Sequence, residues 1–208
     1  MSREIREGAV FVVSAPSGAG KSTLIRRLLE AVDGLGFCVS HTTRSRRDGE
    51  EEGRAYHFVG EERFHELREE GAFLESAEVH GRSYGTARSE VQKIVESGED
   101  VLLDLDVQGA AALRRERPDA VLVFVLPPYF EELSRRLQGR GTERPERERR
   151  LQTAAREILQ ADRFDYVVVN EDVDVASDEM KAIVIAERCR LKRRQHLVDS
   201  VKATFPGN

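Results

Sequence analysis

The sequence lacks the features that mark several large classes of protein. Its two cysteines, Cys38 and Cys189, lie far apart and predict neither a disulfide framework nor a zinc site. No stretch approaches the roughly 20 apolar residues of a membrane span, and the charged N-terminus MSREIREG has no apolar segment of a secretory signal. The net charge of −5 argues against a dedicated nucleic-acid-binding protein. We therefore expect a cytoplasmic protein without nucleic-acid or membrane partners, and its oligomeric state stays open.

The 208 residues suffice for one compact domain with insertions, and 39% of them are hydrophobic. Four short apolar runs have the length and composition of buried parallel strands, and segments with helical periodicity follow them. Because strands and helices alternate, the sequence predicts an α/β fold in which helices flank a parallel sheet. The predicted strands are 9–13, 101–106, 121–126 and 166–170, and the predicted helices are 22–32, 107–116, 129–138, 147–161 and about 176–200.

Two segments interrupt this alternation. Residues 36–98 combine short β-like stretches with one short helical pattern, and they are too many for a connecting loop. A small inserted subdomain of mixed α/β structure is the better interpretation. Residues 139–150, GRGTERPERERR, are almost wholly charged and, taken alone, are typical of a solvated surface segment.

The stretch VVSAPSGAGKSTLIRRLL, residues 12–29, joins a predicted strand to a predicted helix. It matches the phosphate-binding pattern G-x-x-x-x-G-K-[ST], except that Ala15 replaces the first glycine. Loop amides and the helix N-terminus would surround an anion, Lys21 would reach the β- and γ-phosphates, and Ser22 would hold Mg²⁺. The segment therefore predicts a nucleoside triphosphate as phosphoryl donor. Its predicted donor-binding residues are Ala15, Pro16, Ser17, Gly18, Ala19, Gly20, Lys21, Ser22 and Thr23.

The inserted segment indicates what accepts the phosphoryl group. Arg44 and Arg47 are spaced to converge on one anion, and arginine suits bidentate binding of phosphate. Tyr56 and Tyr84 could add neutral O–H donors. A phosphate monoester, with a second pKa of about 6, is mostly dianionic at neutral pH and needs no general base. Water is the less favoured acceptor, because VVVNEDVD has no lysine after Asn170 where a GTPase would carry N-K-x-D.

Glu75 and Thr86 suggest which base the acceptor carries. A carboxylate can accept from both N1–H and N2–H₂ of guanine, whereas adenine presents a bare N1 lone pair that would repel it. Thr86 could donate to guanine O6. Taken alone, a glutamate such as Glu75 is more often an ordinary surface acid, and its role depends on the neighbouring motifs.

At these residues the chain resembles the guanylate kinase family. The motifs SAPSGAGKST, SHTTRSRR-GE-EG--YHFV, FLE, YGT, LLDLDVQGA, RL-GRGTE and VVVNEDVD follow in the family's order along nearly the whole chain. The resemblance implies a P-loop nucleoside-monophosphate-kinase fold that transfers the γ-phosphoryl group of ATP to GMP with Mg²⁺, giving ADP and GDP. The implied parts are a P-loop core at 1–39, 99–137 and 151–208, a GMP-binding insert at 40–98 and a lid at 138–150.

The resemblance also implies roles for single residues. Arg136, Arg140 and Arg150 look like lid arginines, although Arg149 could take the place of Arg150. Asp104 and Asp106 would face the nucleotide and Mg²⁺, unless one of them only caps the following helix. The implied GMP-binding residues are Ser40, Arg44, Arg47, Tyr56, Glu75, Tyr84, Gly85, Thr86, Asp104 and Asp106. ATP would also meet Arg136 and Asn170, and the implied catalytic residues are Lys21, Arg47, Arg140 and Arg150.

Two other functions stay open at this point. One is a P-loop kinase for another acceptor, such as CMP, dTMP or a small sugar. The other is a binding module of the same fold that has lost catalysis. The basic stretch RCRLKRRQH, residues 188–196, could contact nucleic acid, but basic helix ends are usually solvated.

Overall fold

The computed structural model describes residues 7–79, 81–138 and 144–205. Its strands are β1 Val10–Ser14, β2 Leu35–Phe37, β3 His41–Thr42, β4 His57–Phe58, β5 Phe73–Val79, β6 Arg82–Ala87, β7 Asp100–Asp104, β8 Val121–Leu126 and β9 Tyr166–Val169. Its helices are α1 Lys21–Ala31, α2 Glu61–Glu69, α3 Arg88–Glu96, α4 Val107–Glu116, α5 Phe130–Gln138, α6 Arg144–Ile158, α7 Val173–Arg188 and α8 Leu191–Lys202, with a 3₁₀ turn at Ala161–Arg163. Within the described residues no helix is long and apolar enough to span a bilayer.

Five strands form a parallel sheet in the order β2-β7-β1-β8-β9. The sheet confirms the predicted α/β fold, and all four predicted strands belong to it. The strand β2 was not predicted, because three residues with Gly36 at their centre carry no apolar run. The central strand β1 is buried along its whole length, so the loop that follows it begins at a fixed point in the middle of the sheet.

Alternation along β1 divides the core between the two faces of the sheet. Phe11 and Val13 point to one face, where they join a cluster that includes Leu24 of α1 and Met180 of α7. Val10 and Val12 point to the other face and join a cluster that includes Leu113 of α4. Helices therefore cover both faces, as the strand–helix alternation predicted.

A second, mixed sheet in the order β4-β3-β6-β5 is built from the inserted segment. The strands β3 and β4 are parallel, whereas β6 is antiparallel to both β3 and β5. The helix α2 packs Phe64 on Phe73 of β5, with ring centroids 4.6 Å apart. The prediction of a mixed α/β insert is confirmed.

The prediction of one helix over about 176–200 was wrong. The chain forms two helices, α7 and α8, because Arg190 leaves the helical region with φ −57° and ψ 137°. Glu187 lies beside the break: it is 1% exposed, accepts a hydrogen bond from Tyr166 Oη at 2.6 Å and forms an ion pair with Arg190 Nε at 3.3 Å. No residue of α8 is buried.

Candidate active site

The loop between β1 and α1 has the geometry of an anion site. Gly18 and Gly20 adopt φ values of +94° and +96°, which side chains rarely tolerate. A Cβ on Gly20 would also lie 2.2 Å from Asn170 Nδ2, so no larger residue fits there. The helix α1 begins at Lys21 without a side-chain cap. An anion held in the loop would therefore meet the amides of the first helical turn.

Lys21 connects this loop to the carboxyl end of the neighbouring strand β7. Its Nζ forms an ion pair with Asp104 and donates to the Leu105 carbonyl at 3.3 Å. Asp106 acts differently, because its Oδ1 caps α4 by accepting from the Gly109 amide at 2.8 Å. Of the two predicted acids, one therefore pairs with the P-loop lysine and the other caps a helix.

Arg136 and Asn170 both support the loop from outside. Asn170 Nδ2 donates to the Ala19 carbonyl at 2.6 Å, and Arg136 donates to the Asn170 carbonyl at 2.9 Å and to Ala19 at 3.3 Å. Glu132 holds Arg136 in turn, through a hydrogen bond of 2.6 Å from Nε. The two predicted ATP-binding residues thus meet at the back of the phosphate-binding loop.

The helix α6 contacts the opposite rim of the loop. Arg150 Nη2 donates to Ser17 Oγ at 2.8 Å, whereas Arg149 is exposed. Glu157, which the sequence did not single out, lies near the Ser17 amide, which favours the ionised carboxylate and so acts to lower its pKa. Burial raises the pKa of the Glu157 carboxyl, and the charge of Asp106 adds to this. Arg140 lies outside the described residues.

The four residues predicted to bind the acceptor phosphate line a cavity of about 720 Å³ beside α1. Ser22 and Asp104 line the same cavity. The Arg44 guanidinium lies over the Tyr56 ring, 5.3 Å from its centroid, and the rings of Tyr56 and Tyr84 are 5.8 Å apart. Burial raises the pKa of Tyr56 to about 12, so its hydroxyl stays a neutral donor. The structure places Arg44, Arg47, Tyr56 and Tyr84 around one cavity, as the sequence predicted. Glu50, which contacts both arginines, was not predicted.

An adjoining cavity of about 200 Å³ is lined by Ser40 and Glu75, two of the three predicted base-binding residues, while the third, Thr86, is fully buried beside Glu75. Glu75 is 6% exposed, and burial raises its pKa to about 7. Thr86 Oγ1 donates to Glu75 Oε1 at 2.6 Å. Since a hydroxyl has one hydrogen, Thr86 gives it to Glu75 in this arrangement and not to a base. Its contact with guanine O6 stays a prediction. The cavity is lined by Lys21, Ser40, Tyr56, Glu75, Ala77, Val79, Tyr84, Asp104, Leu105 and Asp106.

Two glycines shape the walls around Glu75. A Cβ on Gly109 would lie 2.9 Å from Glu75 Oε2, so glycine is what lets α4 approach the carboxylate. A Cβ on Gly85 would lie 2.9 Å from the Phe73 ring. The sequence contains Gly109 within LLDLDVQGA, but its role depends on a contact between distant segments and could not be inferred.

The two cavities share Tyr56, Tyr84 and Asp104, and the lysine of the phosphate-binding loop lines one of them. A loop for a triphosphate thus opens directly onto a basic, tyrosine-lined chamber with a buried carboxylate at its end. Together with the parallel sheet and the mixed insert, this arrangement defines the P-loop kinases that phosphorylate nucleoside monophosphates.

Comparison with known proteins identifies the family. The family model described as guanylate kinase matches residues 7–187. The chain is 51% identical over 189 residues to the guanylate kinase of Syntrophotalea carbinolica, covering 90% of both chains. It is 49% identical over 193 residues to that of Neisseria gonorrhoeae, covering 92% of this chain and 93% of the relative. The crystal structure of guanylate kinase from Anaplasma phagocytophilum superposes with a TM-score of 0.81 at 36% identity, over 98% of each chain. The chain belongs to the guanylate kinase family.

Proposed function

We propose that the chain transfers the γ-phosphoryl group of ATP to GMP through the residues predicted from its sequence. Guanylate kinase activity is the activity of its family. The observation that carries the residue assignment is the continuity of the two cavities, because Tyr56, Tyr84 and Asp104 belong to both. A phosphate at Arg44 would then lie between the P-loop and the pocket of Glu75.

On the donor side, Lys21 and the loop amides bind the β- and γ-phosphates. Ser22 and Asp104 line one cavity and offer oxygen atoms, the ligands that Mg²⁺ prefers. Across the described part of the chain, no cluster of three His, Cys, Asp or Glu side chains is arranged to hold a metal. That fits Mg²⁺, which kinases hold through few protein oxygens together with substrate phosphates. When bound, Mg²⁺ neutralises charge on the phosphates.

On the acceptor side, Arg44, Arg47, Tyr56 and Tyr84 bind the phosphate of GMP. The phosphate is already a nucleophile at neutral pH, so these residues serve to position it and to offset its repulsion from ATP. The guanine enters the smaller cavity, where the ionised Glu75 accepts from N1–H and N2–H₂ and Ser40 adds a polar contact. The Tyr56 hydroxyl remains protonated over the working pH range, so it keeps its hydrogen to donate.

The lid role of Arg136, Arg140 and Arg150 is also part of the proposal, as is the division into core, insert and lid. The contact of Arg150 with Ser17 supports Arg150 over Arg149. The expectations of a cytoplasmic location and of no nucleic-acid or membrane partner remain predictions.

The test is the release of ADP from MgATP with GMP, AMP, CMP or dTMP as acceptor. We expect turnover with GMP to exceed that with each of the other three by at least 100-fold, because the buried carboxylate is left unpaired by the wrong base. Equal use of AMP would overturn the role of Glu75. ATP hydrolysis without any phosphorylated acceptor would overturn the transfer itself.

A further inference from the structure

Glu50 contacts both arginines of the acceptor cavity. Its Oε1 accepts a hydrogen bond from Arg44 Nη2 at 2.7 Å, and its Oε2 accepts one from the main-chain amide of Arg47 at 2.8 Å. The side chains of Glu50 and Arg44 are 22% and 14% exposed, so water screens the pair only partly. Each oxygen of the carboxylate thus serves one of the two arginines.

The two contacts require a carboxylate. Both partners of Glu50 are donors, and a carboxylate supplies two acceptor oxygens, whereas a glutamine amide would place its NH₂ against one of them. Arg44 holds the pKa of Glu50 below its usual range, and the amide of Arg47 acts in the same direction. Glu50 is therefore ionised at neutral pH.

The Arg44 guanidinium is fixed on several sides. Besides the bond to Glu50, its Nη1 donates to the Ser45 carbonyl at 2.8 Å, and its centre lies 5.3 Å from the Tyr56 ring centroid and 5.8 Å from that of Phe58. A guanidinium carries five N–H groups, and these bonds use two of them. The direction of the N–H groups is set before any ligand arrives.

Glu50 also closes the turn from which Arg47 projects. Its own amide donates to the Arg47 carbonyl at 3.2 Å, while its carboxylate accepts from the Arg47 amide. Gly49, with φ +83°, allows the tight return of the chain. Glu50 therefore engages the main chain of Arg47 as well as the guanidinium of Arg44. Its contacts include the turn itself, so they extend beyond the guanidinium group that would bind a phosphate.

We propose that Glu50 is a positioning residue for the acceptor phosphate: it orients the Arg44 guanidinium and fixes the turn that carries Arg47. The proposal rests on the proposed assignment of these arginines to the GMP phosphate. The negative charge of Glu50 repels the incoming phosphate. The affinity gained by orienting Arg44 and Arg47 outweighs that repulsion. Glu50 thereby sets affinity for the phosphate and leaves affinity for the base unchanged.

The experiment compares binding of GMP with binding of guanosine, which lacks the phosphate. Dissociation constants are measured for Glu50→Ala, Glu50→Gln and Glu50→Asp, with the exposed neighbour Glu51→Ala as matched control. We expect Glu50→Ala to weaken GMP roughly tenfold or more, as for loss of a charge-assisted hydrogen bond, and to leave guanosine within about twofold. Glu50→Gln should weaken GMP binding less than Glu50→Ala does, and Glu50→Asp should keep part of the affinity that Glu50→Ala loses. Glu51→Ala should bind GMP as the wild type does.

Three results would overturn the proposal. Tighter GMP binding in Glu50→Ala would make Glu50 a competitor of the phosphate. Equal weakening of GMP and guanosine would make it a general support of the insert, and unchanged binding would leave it without a role. Arg44→Ala, measured in parallel, tests the underlying assignment separately, because loss of GMP binding with normal guanosine binding supports that assignment whatever Glu50 does.

Discussion

The Glu75 carboxylate and the Thr86 hydroxyl form a 2.6 Å hydrogen bond in the interior, where Glu75 is 6% exposed and Thr86 is fully buried. Burial raises the pKa of Glu75 to about 7, and the charge of Asp106 adds to the effect, while the bond from Thr86 opposes it. Only the ionised carboxylate can accept from both N1–H and N2–H₂ of guanine. On the proposed assignment, the protonation of Glu75 would therefore be coupled to recognition of the base.

We expect guanosine binding to weaken as the pH falls. A group with a pKa of about 7 is mostly ionised at pH 8 and mostly protonated at pH 6, which predicts a roughly tenfold loss of affinity between these values. Guanosine is the proper probe, because the phosphate of GMP itself titrates near pH 6. Calorimetric titration across this range checks the prediction. Glu75→Gln should bind weakly with no such pH dependence, and an unaltered slope in that variant would contradict the assignment.

The same pKa predicts an effect on stability. Because the folded state holds the proton of Glu75 more tightly than the unfolded chain, the free energy of unfolding falls as the pH rises from about 4.5 to about 7. Glu75→Gln removes this ionisation, so at pH 8 it should be more stable than the wild type by on the order of 3 kcal/mol. At pH 5 most of that difference should vanish. Denaturant unfolding at both pH values, with the exposed Glu78→Gln as control, provides the measurement, and a pH-independent difference would refute it.

Gly109→Ala should impair base binding without disrupting the fold. The added Cβ would lie 2.9 Å from Glu75 Oε2 and 3.3 Å from Asp106 Oδ1, so the carboxylate must move. We expect guanosine affinity to fall by about tenfold, the equivalent of one lost hydrogen bond. Gly60→Ala is the matched control, because nothing lies within 4 Å of its Cβ position. Unchanged guanosine binding in Gly109→Ala would show that Glu75 has room to adjust.

Local sequence patterns determined much of the fold. The apolar runs predicted four strands of the parallel sheet: β1 is buried along its whole length and β7 and β8 nearly so, whereas β9 was found from its run of valines although only Val168 is buried there. The break between α7 and α8 was missed; beside it, Glu187 accepts a hydrogen bond from Tyr166, a residue 21 positions earlier in the chain. Helical periodicity does not record a contact of this kind.

For the site, motif residues were predicted and their supports were not. The phosphate-binding loop and the arginine–tyrosine set carry chemistry that is visible in residue type and spacing. Glu50 is one of several acids in DGEEEG, and Glu157 is one of several in α6, so only three-dimensional contacts single them out. The hydrogen bond from Thr86 to Glu75 was likewise not predicted. The type of each residue suggests a contact with the base, but nothing in the sequence indicates that the two side chains meet.

Lys21→Met should remove most of the turnover and leave the fold intact. The substitution keeps the length of the side chain and removes the charge that pairs with Asp104. We expect kcat to fall by about 100-fold or more, the typical loss of one donor to a developing anion. Lys192→Met, an exposed lysine of α8, is the control for general effects of the change. Turnover within tenfold of the wild type would contradict the role of Lys21.

The final prediction separates two adjacent arginines of α6. Arg150 donates to Ser17 on the rim of the phosphate-binding loop at 2.8 Å, whereas Arg149 is exposed. If Arg150 neutralises charge on the transferring phosphoryl group, Arg150→Ala should lower kcat at least about tenfold. The reason is that the attraction between Arg150 and this group is strongest in the transition state. Arg149→Ala should leave kcat within about twofold, as expected for an exposed charge. Steady-state kinetics with saturating ATP and GMP measure both variants. A larger loss in Arg149→Ala would assign the lid role to Arg149 and would mean that the contact of Arg150 with Ser17 is replaced when the nucleotides bind.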